Sequence, residues 1–394
     1  MDHVEQAVTA LENAERRKYK WTRLLLPLLS YKVYLLALVY LTFQLLPSIF
    51  ATEIYHENFH WPPDDPPSLA SAYKTWDGNH YLYLSEMGYQ PGAISNALNP
   101  LWPICIRLGS FLFLGDHLIS ALVLSNLFSL IGLLLFHYFV WNYHGENVAD
   151  LSTLLLVAYP GALFFAFPYT ESLFLLLTMV FFIALYRRDY LLAALASFFL
   201  PLAREPGLFA VVPFFYDIYQ SWREKGKVRL EDLVYLTAPV ASMFMYFAIM
   251  YLSTGNPLEG IEAEKYFIGQ RSISSLLDLP AFVRSFADIR YLHGTLYSAF
   301  DRLWFVVLVV FLFKIWRTDR RYFWFAILAG IVPPMTGTFW SYTRFLVAVF
   351  PLFIAAAEVL SKDKWKGVRW LTIGILFSLQ IIFLIRHINN YWVG

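Results

Sequence analysis

The chain has 394 residues, of which 58% are hydrophobic, 19% aromatic and 15% charged, with a formal net charge of +1. Soluble domains average about 25% charged residues, so this balance excludes an ordinary water-soluble enzyme and points to an integral membrane protein. The net charge says nothing about acidic partners, but no basic arm or zinc-finger spacing suggests nucleic acid, and none is expected as a partner; a single cysteine, Cys105, excludes an internal disulfide framework.

The first 23 residues are charged, and no small-residue cleavage site follows the hydrophobic run at 24–50, which therefore reads as a retained span rather than a signal peptide. A helix needs about 20 apolar residues to cross a bilayer core of about 30 Å. The apolar runs lack the two-residue alternation of a β-barrel, so the fold class is an all-α polytopic membrane protein. Lys and Arg concentrate in cytoplasmic loops, and basic clusters stand at 16–20, 187–188, 223–229, 317–321 and 362–369. Placing all five inside gives spans near 24–50, 118–141, 151–168, 171–186, 190–203, 207–220, 232–253, 299–316, 322–338, 343–360 and 370–390, eleven in all. The N-terminus then lies inside and the C-terminus outside. Residues 101–114 are too short and interrupted for a span and read as a juxtamembrane helix. Pro206 disfavours helix at the residue before it, so 190–220 reads as two helices. The chain is read as one domain with two large outer loops, 51–117 and 254–298. Its expected location is the cell membrane with the working face outside, or the endoplasmic reticulum membrane in a eukaryote. The lack of any Asn-x-Ser/Thr sequon fits a prokaryotic source.

This topology gathers several charges on the outer face. Asp77, between Trp76 and Gly78, begins a stretch read as a short amphipathic helix ending at Gly88. Its carboxylate could merely cap that helix. It could also take a proton from an incoming hydroxyl as a general base, kept ionised by the helix N-terminus. Glu171 follows Pro168-Tyr169-Thr170 in a tight turn, where it either caps the next helix or faces a cavity beside Asp77 together with Tyr169. Arg204 and Glu205 sit at membrane depth, where ionisable side chains usually face a cavity or polar ligand, although a mutual surface salt bridge is a second reading. Arg344 either snorkels to the interface or joins Arg204 in gripping a phosphate, whose oxygens match the guanidinium fork.

His56-Glu57-Asn58-Phe59-His60 matches the zinc-protease pattern HExxH. The prolines that follow at 62–63 and 66–67 break the helix that pattern requires. The segment reads instead as the polar end of a helix followed by a stiff strut leading towards Asp77. Lys32 is expected to snorkel from the inner end of the first span. His293 and Asp288 in the second loop could line an acceptor site.

Trp76-Asp77-Gly78 with His80 and Gly88-Tyr89, the run Pro168-Tyr169-Thr170-Glu171-Ser172, Arg204, and Phe350-Pro351 after Arg344 together resemble the GPI mannosyltransferase II family and its bacterial relatives. The resemblance extends over most of the chain. It implies a GT-C glycosyltransferase bundle with juxtamembrane helices and an essential acidic residue in the first outer loop, which by position is Asp77. Thr170 departs from the family's serine, and Arg204-Glu205-Pro206-Gly207 departs from its usual sequence after the arginine. The implied reaction moves a sugar, mannose, from a polyprenyl phosphate to a hydroxyl of a lipid or glycan, with inversion at the anomeric carbon. Arg204 and Arg344 would hold the donor phosphate, and His80, Tyr169, Glu171 and Glu205 the substrates. No cofactor or metal is expected, with a divalent ion between Asp77 and the phosphate as a second arrangement. The expected partners are membrane lipids and the two substrates, and the expected state is a monomer. A lipid or glycan transporter is the principal rival; short inner loops and the lack of a strong internal repeat weigh against it.

Overall fold

The computed structural model describes residues 19–226, 229–266, 276 and 278–394. Most of the first basic cluster, residues 227–228 of the third, and residues 267–275 and 277 of the second loop lie outside them. Helices dominate, and the only extended pairing among the described residues is an isolated bridge between Tyr291 and Ser298.

Among the described residues, three helices are long and apolar enough to cross a membrane: α1 (Thr22–Leu45), α4 (His117–His144) and the last, which contains Lys366–Ile388. Three bent pairs would raise the number to six if each were one span. The eleven expected spans thus meet a more broken structure, because prolines and polar turns divide several of them. The expected span 151–168 is split: α5 (Glu146–Ala158) bends by 81° into the tight helical turns Pro160–Ala166. Pro160 has no N–H to continue the α-helical ladder.

α6 (Glu171–Tyr186) then runs away from this break, and α7 (Tyr190–Ala203) returns alongside it. At about 1.5 Å per residue, α6 is about 24 Å long, shorter than a bilayer core of about 30 Å. Arg204 is extended, with φ −157° and ψ 147°, and the turn Glu205–Ala210 leads into α8 (Val211–Lys225). Two helices therefore occupy 190–220, as Pro206 implies. The break is packed tightly: a Cβ on Gly207 would lie 2.2 Å from the Leu200 carbonyl carbon.

α2 (Asp77–Met87) and α3 (Leu101–Ser110) lie between α1 and α4 in the chain. α2 ends at Gly88, whose φ of 73° suits glycine. Most of α2 is buried, including Asn79, His80 and Ser85, rather than showing the expected wet face. α3 continues into Phe111–Phe113, and Phe111, Leu112 and Leu114 are exposed.

After α9 (Ala238–Thr254) come α10 (Ala299–Thr318), α11 (Arg320–Met335), the short α12 (Tyr342–Phe345), α13 (Phe350–Leu360) and α14 (Lys366–Ile388). Another 81° bend separates α12 from α13 at Phe350-Pro351, so 343–360 is also a broken segment. Small and hydroxylated side chains let α4 approach α6 and the 160–166 turns. A Cβ on Gly132 would meet Leu175 at 3.1 Å, and Ser125 and Ser129 donate to the Phe167 and Phe165 carbonyls.

Lys32 does not snorkel. It is buried in α1, and its ammonium donates to Ser129 Oγ at 2.7 Å and the Phe165 carbonyl at 2.9 Å. The broken turn exposes backbone carbonyls at its end, which gives a buried cation something to bind.

Candidate active site

The helix breaks converge on one set of charges. Arg344 donates through Nη1 to Asp77 and through Nε to Glu171, while Arg204 Nη1 donates to the same Glu171 oxygen at 2.6 Å. Two carboxylates and two guanidiniums from four distant stretches of sequence form one line, Asp77, Arg344, Glu171, Arg204. The Glu171 side chain is fully buried, Arg344 and Arg204 are 5% and 8% exposed, and Asp77 is 18% exposed. Asp77 is therefore the member nearest solvent. Formal charges cancel within the line, which offsets the cost of burying them.

Local structure fixes each position. Trp76 adopts a left-handed φ of 51° immediately before Asp77, uncommon for a bulky residue. The proline strut leans on α2: Trp61 N–H donates to Asn79, its indole to Glu86, and Lys74 pairs with Asp65 at 2.6 Å. Gly78 permits a close approach, since a Cβ there would lie 3.1 Å from Pro168. Thr343 locks the backbone beside Arg344, with its N–H and hydroxyl donating to Asp301 at 2.7 and 2.6 Å and its carbonyl accepting from Tyr159 at 2.8 Å.

A cavity of about 100 Å³ opens against this line. Asp77, Arg204, Glu205 and Arg344 line it, with Trp340 and Trp392 among the other wall residues. Tyr169, Glu171 and His80 are not among those lining residues. Tyr169 donates its hydroxyl to the Thr75 carbonyl at 2.9 Å and places its ring 4.6 Å from the Arg344 guanidinium carbon. Glu171 holds the two arginines from behind. His80 bonds Ser95 Oγ at 2.8 Å and stacks on Phe59 at 4.2 Å. Tyr169 and His80 are thus hydrogen-bonded within the protein, and Glu171 Oε1 is taken up by the two arginines.

Arg204 pairs with Glu171 rather than Glu205, which is exposed at the cavity. Arg344 is buried rather than snorkelling, and the Asp77 carboxylate accepts from Arg344. His293 bonds the Val393 carbonyl at 2.9 Å and Asp288 pairs with Arg290 at 2.7 Å, so neither faces this cavity. The HExxH helix stops at Glu57, leaving His60 outside it, and no cluster of three or more potential metal ligands occurs among the described residues.

Burial would push the Asp77 carboxyl up, but the Arg344 charge and hydrogen bond, helped by His80 and Arg204, hold it below its ordinary value. It is ionised at neutral pH. Burial lowers His80 to about 4 against the opposing pull of Asp77, so His80 is neutral there. The hydrogen bonds among the described residues use two of the five Arg344 donors and one of the five on Arg204. Donors therefore remain on both guanidiniums at a solvent-accessible cavity. One Glu171 oxygen, Oε2, is buried without a partner among the described residues. Such a group costs about 1–3 kcal/mol, so this line is not built for stability alone.

Sequence reasoning missed Trp340, Trp392 and Asp301. Nothing in their local sequence separates them from other interfacial aromatic or helix-end acidic residues. Only the path of the chain brings them here.

No family model and no curated protein sequence matches the chain. Among solved structures it is similar to the oligosaccharyltransferase of Archaeoglobus fulgidus in complex with Zn and sulfate, with a TM-score of 0.47 and 11% identity over 92% of this chain and 53% of that one. It is also similar to the archaeal oligosaccharyltransferase AglB from the same organism, in complex with an inhibitory peptide and a dolichol-phosphate, with a TM-score of 0.44 and 10% identity over 93% of this chain and 56% of that one. The chain spans about half the length of these structures. At this distance the likeness carries no chemistry, and the functional reading rests on the site itself.

Proposed function

We propose that this chain is an inverting glycosyltransferase that moves mannose from a polyprenyl-phosphate donor to a hydroxyl of a lipid or glycan on the outer face of the membrane. The observation that carries the reading is an ionised carboxylate, Asp77, sharing one cavity with two arginines that retain donors. Arg204 and Arg344 bind the donor phosphate. The acceptor oxygen attacks the anomeric carbon and its proton passes to Asp77. The bond from that carbon to the phosphate oxygen breaks, and its electron pair leaves with the phosphate, where the guanidiniums stabilise the new charge. A phosphate needs little help from a general acid, since its second pKa is about 6.

Asp77 held by Arg344 is a weak base in the empty site. A phosphate that draws on Arg344 loosens that ion pair and raises the basicity of Asp77, so donor binding prepares the base. Glu171 keeps both arginines in place while this exchange occurs. The protein acts as a monomer in this scheme.

The test incubates purified protein with labelled polyprenyl-phosphate mannose and a panel of lipid and glycan acceptors. Transfer of label with an α linkage from a β-linked donor is the expected result. No transfer from any polyprenyl-linked sugar, alongside movement of lipid across vesicles, would move the protein to the transporter class.

A further inference from the structure

Two indoles share the cavity with the charged line. Trp340, in the turn after α11, and Trp392, beyond α14, stack with planes 2° apart and centroids 5.4 Å apart. Trp76, next to Asp77, meets Trp392 edge-on at 4.9 Å. Three tryptophans from three remote parts of the chain therefore form one ladder beside the carboxylate.

The ladder is built in. After α14 the chain turns at Asn390, whose φ is 65°, and returns towards the site. The Val393 carbonyl accepts from His293 at 2.9 Å. On the other side, a Cβ on Gly394 would lie 2.8 Å from Phe164 and 3.1 Å from Arg344 Cδ. A Cβ on Gly294 would lie 2.9 Å from the Trp392 carbonyl. The segment carrying Trp392 is thus clamped, and Trp340 is braced by an N–H donated to Thr338 Oγ1 at 3.0 Å.

An apolar plane beside carboxylates and amides has the chemistry of a sugar site. A pyranose offers hydroxyls at its rim and a patch of C–H bonds on its face, and an indole packs that face while Asp77, Glu205 and Asn99 in the same cavity suit the rim. An isoprenoid tail has no use for those polar groups, and burying them beside it would be costly.

We propose that the Trp340–Trp392 pair is the platform on which the transferred sugar ring stacks, which makes it a determinant of sugar specificity. This rests on the transferase reading above. Kinetics and binding together test both. In the transfer assay, Trp340→Ala raises KM for the donor about tenfold, the scale on which ring-stacking contacts respond to alanine, with kcat little changed, while Trp340→Phe keeps most of the affinity. Trp340→Leu, which keeps an apolar side chain in place, serves if the alanine variant does not fold, and shows the same rise. Saturation-transfer NMR with methyl α-D-mannopyranoside gives a readout that needs no turnover: wild type saturates C–H protons of one sugar face, and Trp340→Ala or Trp340→Leu loses that signal. Unchanged KM and unchanged saturation in a folded variant would overturn the platform. Saturation lost on mutation in a protein that transfers no sugar would keep the platform and remove the transferase.

Discussion

Arg344 and Arg321 each bind two carboxylates, yet their surroundings differ. Arg321 grips Asp319 with two nitrogens, at 3.1 and 2.7 Å, and Asp217 with a third at 2.8 Å, and its guanidinium carbon sits 3.6 Å from the Tyr186 ring centroid. Tyr190 and Tyr186 donate to the remaining lone pairs of Asp217 and Asp319 at 2.9 and 2.6 Å. That network is closed. The Arg344 network ends at a cavity, keeps unused donors, and leaves Glu171 Oε2 without a partner among the described residues. The same residue types therefore make a fastening at the end of α6 near Tyr186 and a candidate reaction centre at the end near Glu171. Unsatisfied capacity beside a cavity separates them, rather than the ion pairs themselves.

Removing each arginine tests this contrast most severely. Arg344→Ala leaves Asp77 without its arginine and Glu171 with Arg204 alone, and costs about 3–5 kcal/mol of stability, the scale for breaking a buried pair from one side. Arg321→Ala costs stability on the same order, but its folded fraction keeps the wild-type turnover while that of Arg344→Ala does not. Calorimetry with transfer assays normalised to folded protein gives the answer. Lysine substitutions are milder. Arg344→Lys keeps the charge and loses the fork, so donor kcat/KM falls about tenfold to a hundredfold, matching loss of one charge-assisted hydrogen bond of about 1.5–3 kcal/mol; Arg321→Lys leaves kcat/KM unchanged.

A third prediction concerns the break that places Arg204. Gly207→Ala forces a Cβ to within 2.2–2.5 Å of the Leu200 and Pro201 backbone. The expected loss is about 1–3 kcal/mol, the usual range for overpacking, read as a lower melting temperature. The smallest effect is in pH dependence. Because the folded Asp77 pKa lies below its ordinary value of 3.8, its contribution to stability is present above that value and is lost as pH falls through the folded pKa. Accordingly, the acid limb of kcat/KM lies below the usual carboxylate range, and the rate is flat from about pH 5 to 7 with respect to this group. A limb centred near pH 6 would point to a different base.

Sequence made the membrane class readable through composition, and charge near the spans marked Asp77, Glu171, Arg204 and Arg344 as candidates. Pro206 announced the break after Arg204 because proline acts through its own ring and the residue before it. The 81° turns at Pro160 and at Phe350-Pro351 were harder to read. Proline at the first turn of a helix and proline inside a span have the same local sequence, and tertiary packing decides between them. Pairing was also out of reach. Arg204 and Glu205 are neighbours in the chain, which suggests a mutual bridge, but the extended conformation at Arg204 turns its guanidinium to Glu171, 33 residues away. Lys32 looked like a snorkelling residue because the carbonyl that binds it, Phe165, belongs to a break 133 residues away.

One experiment bears on the open network more directly than the rest: single-turnover transfer from a preformed complex of protein and labelled donor, comparing wild type with Asp77→Asn. The substitution keeps the shape and removes the base. Donor binding is predicted to persist while the chemical step slows by about 10²–10⁴-fold, the range attributed to general-base catalysis. Transfer at the wild-type rate by a folded Asp77→Asn protein would contradict the assignment of Asp77 as the base.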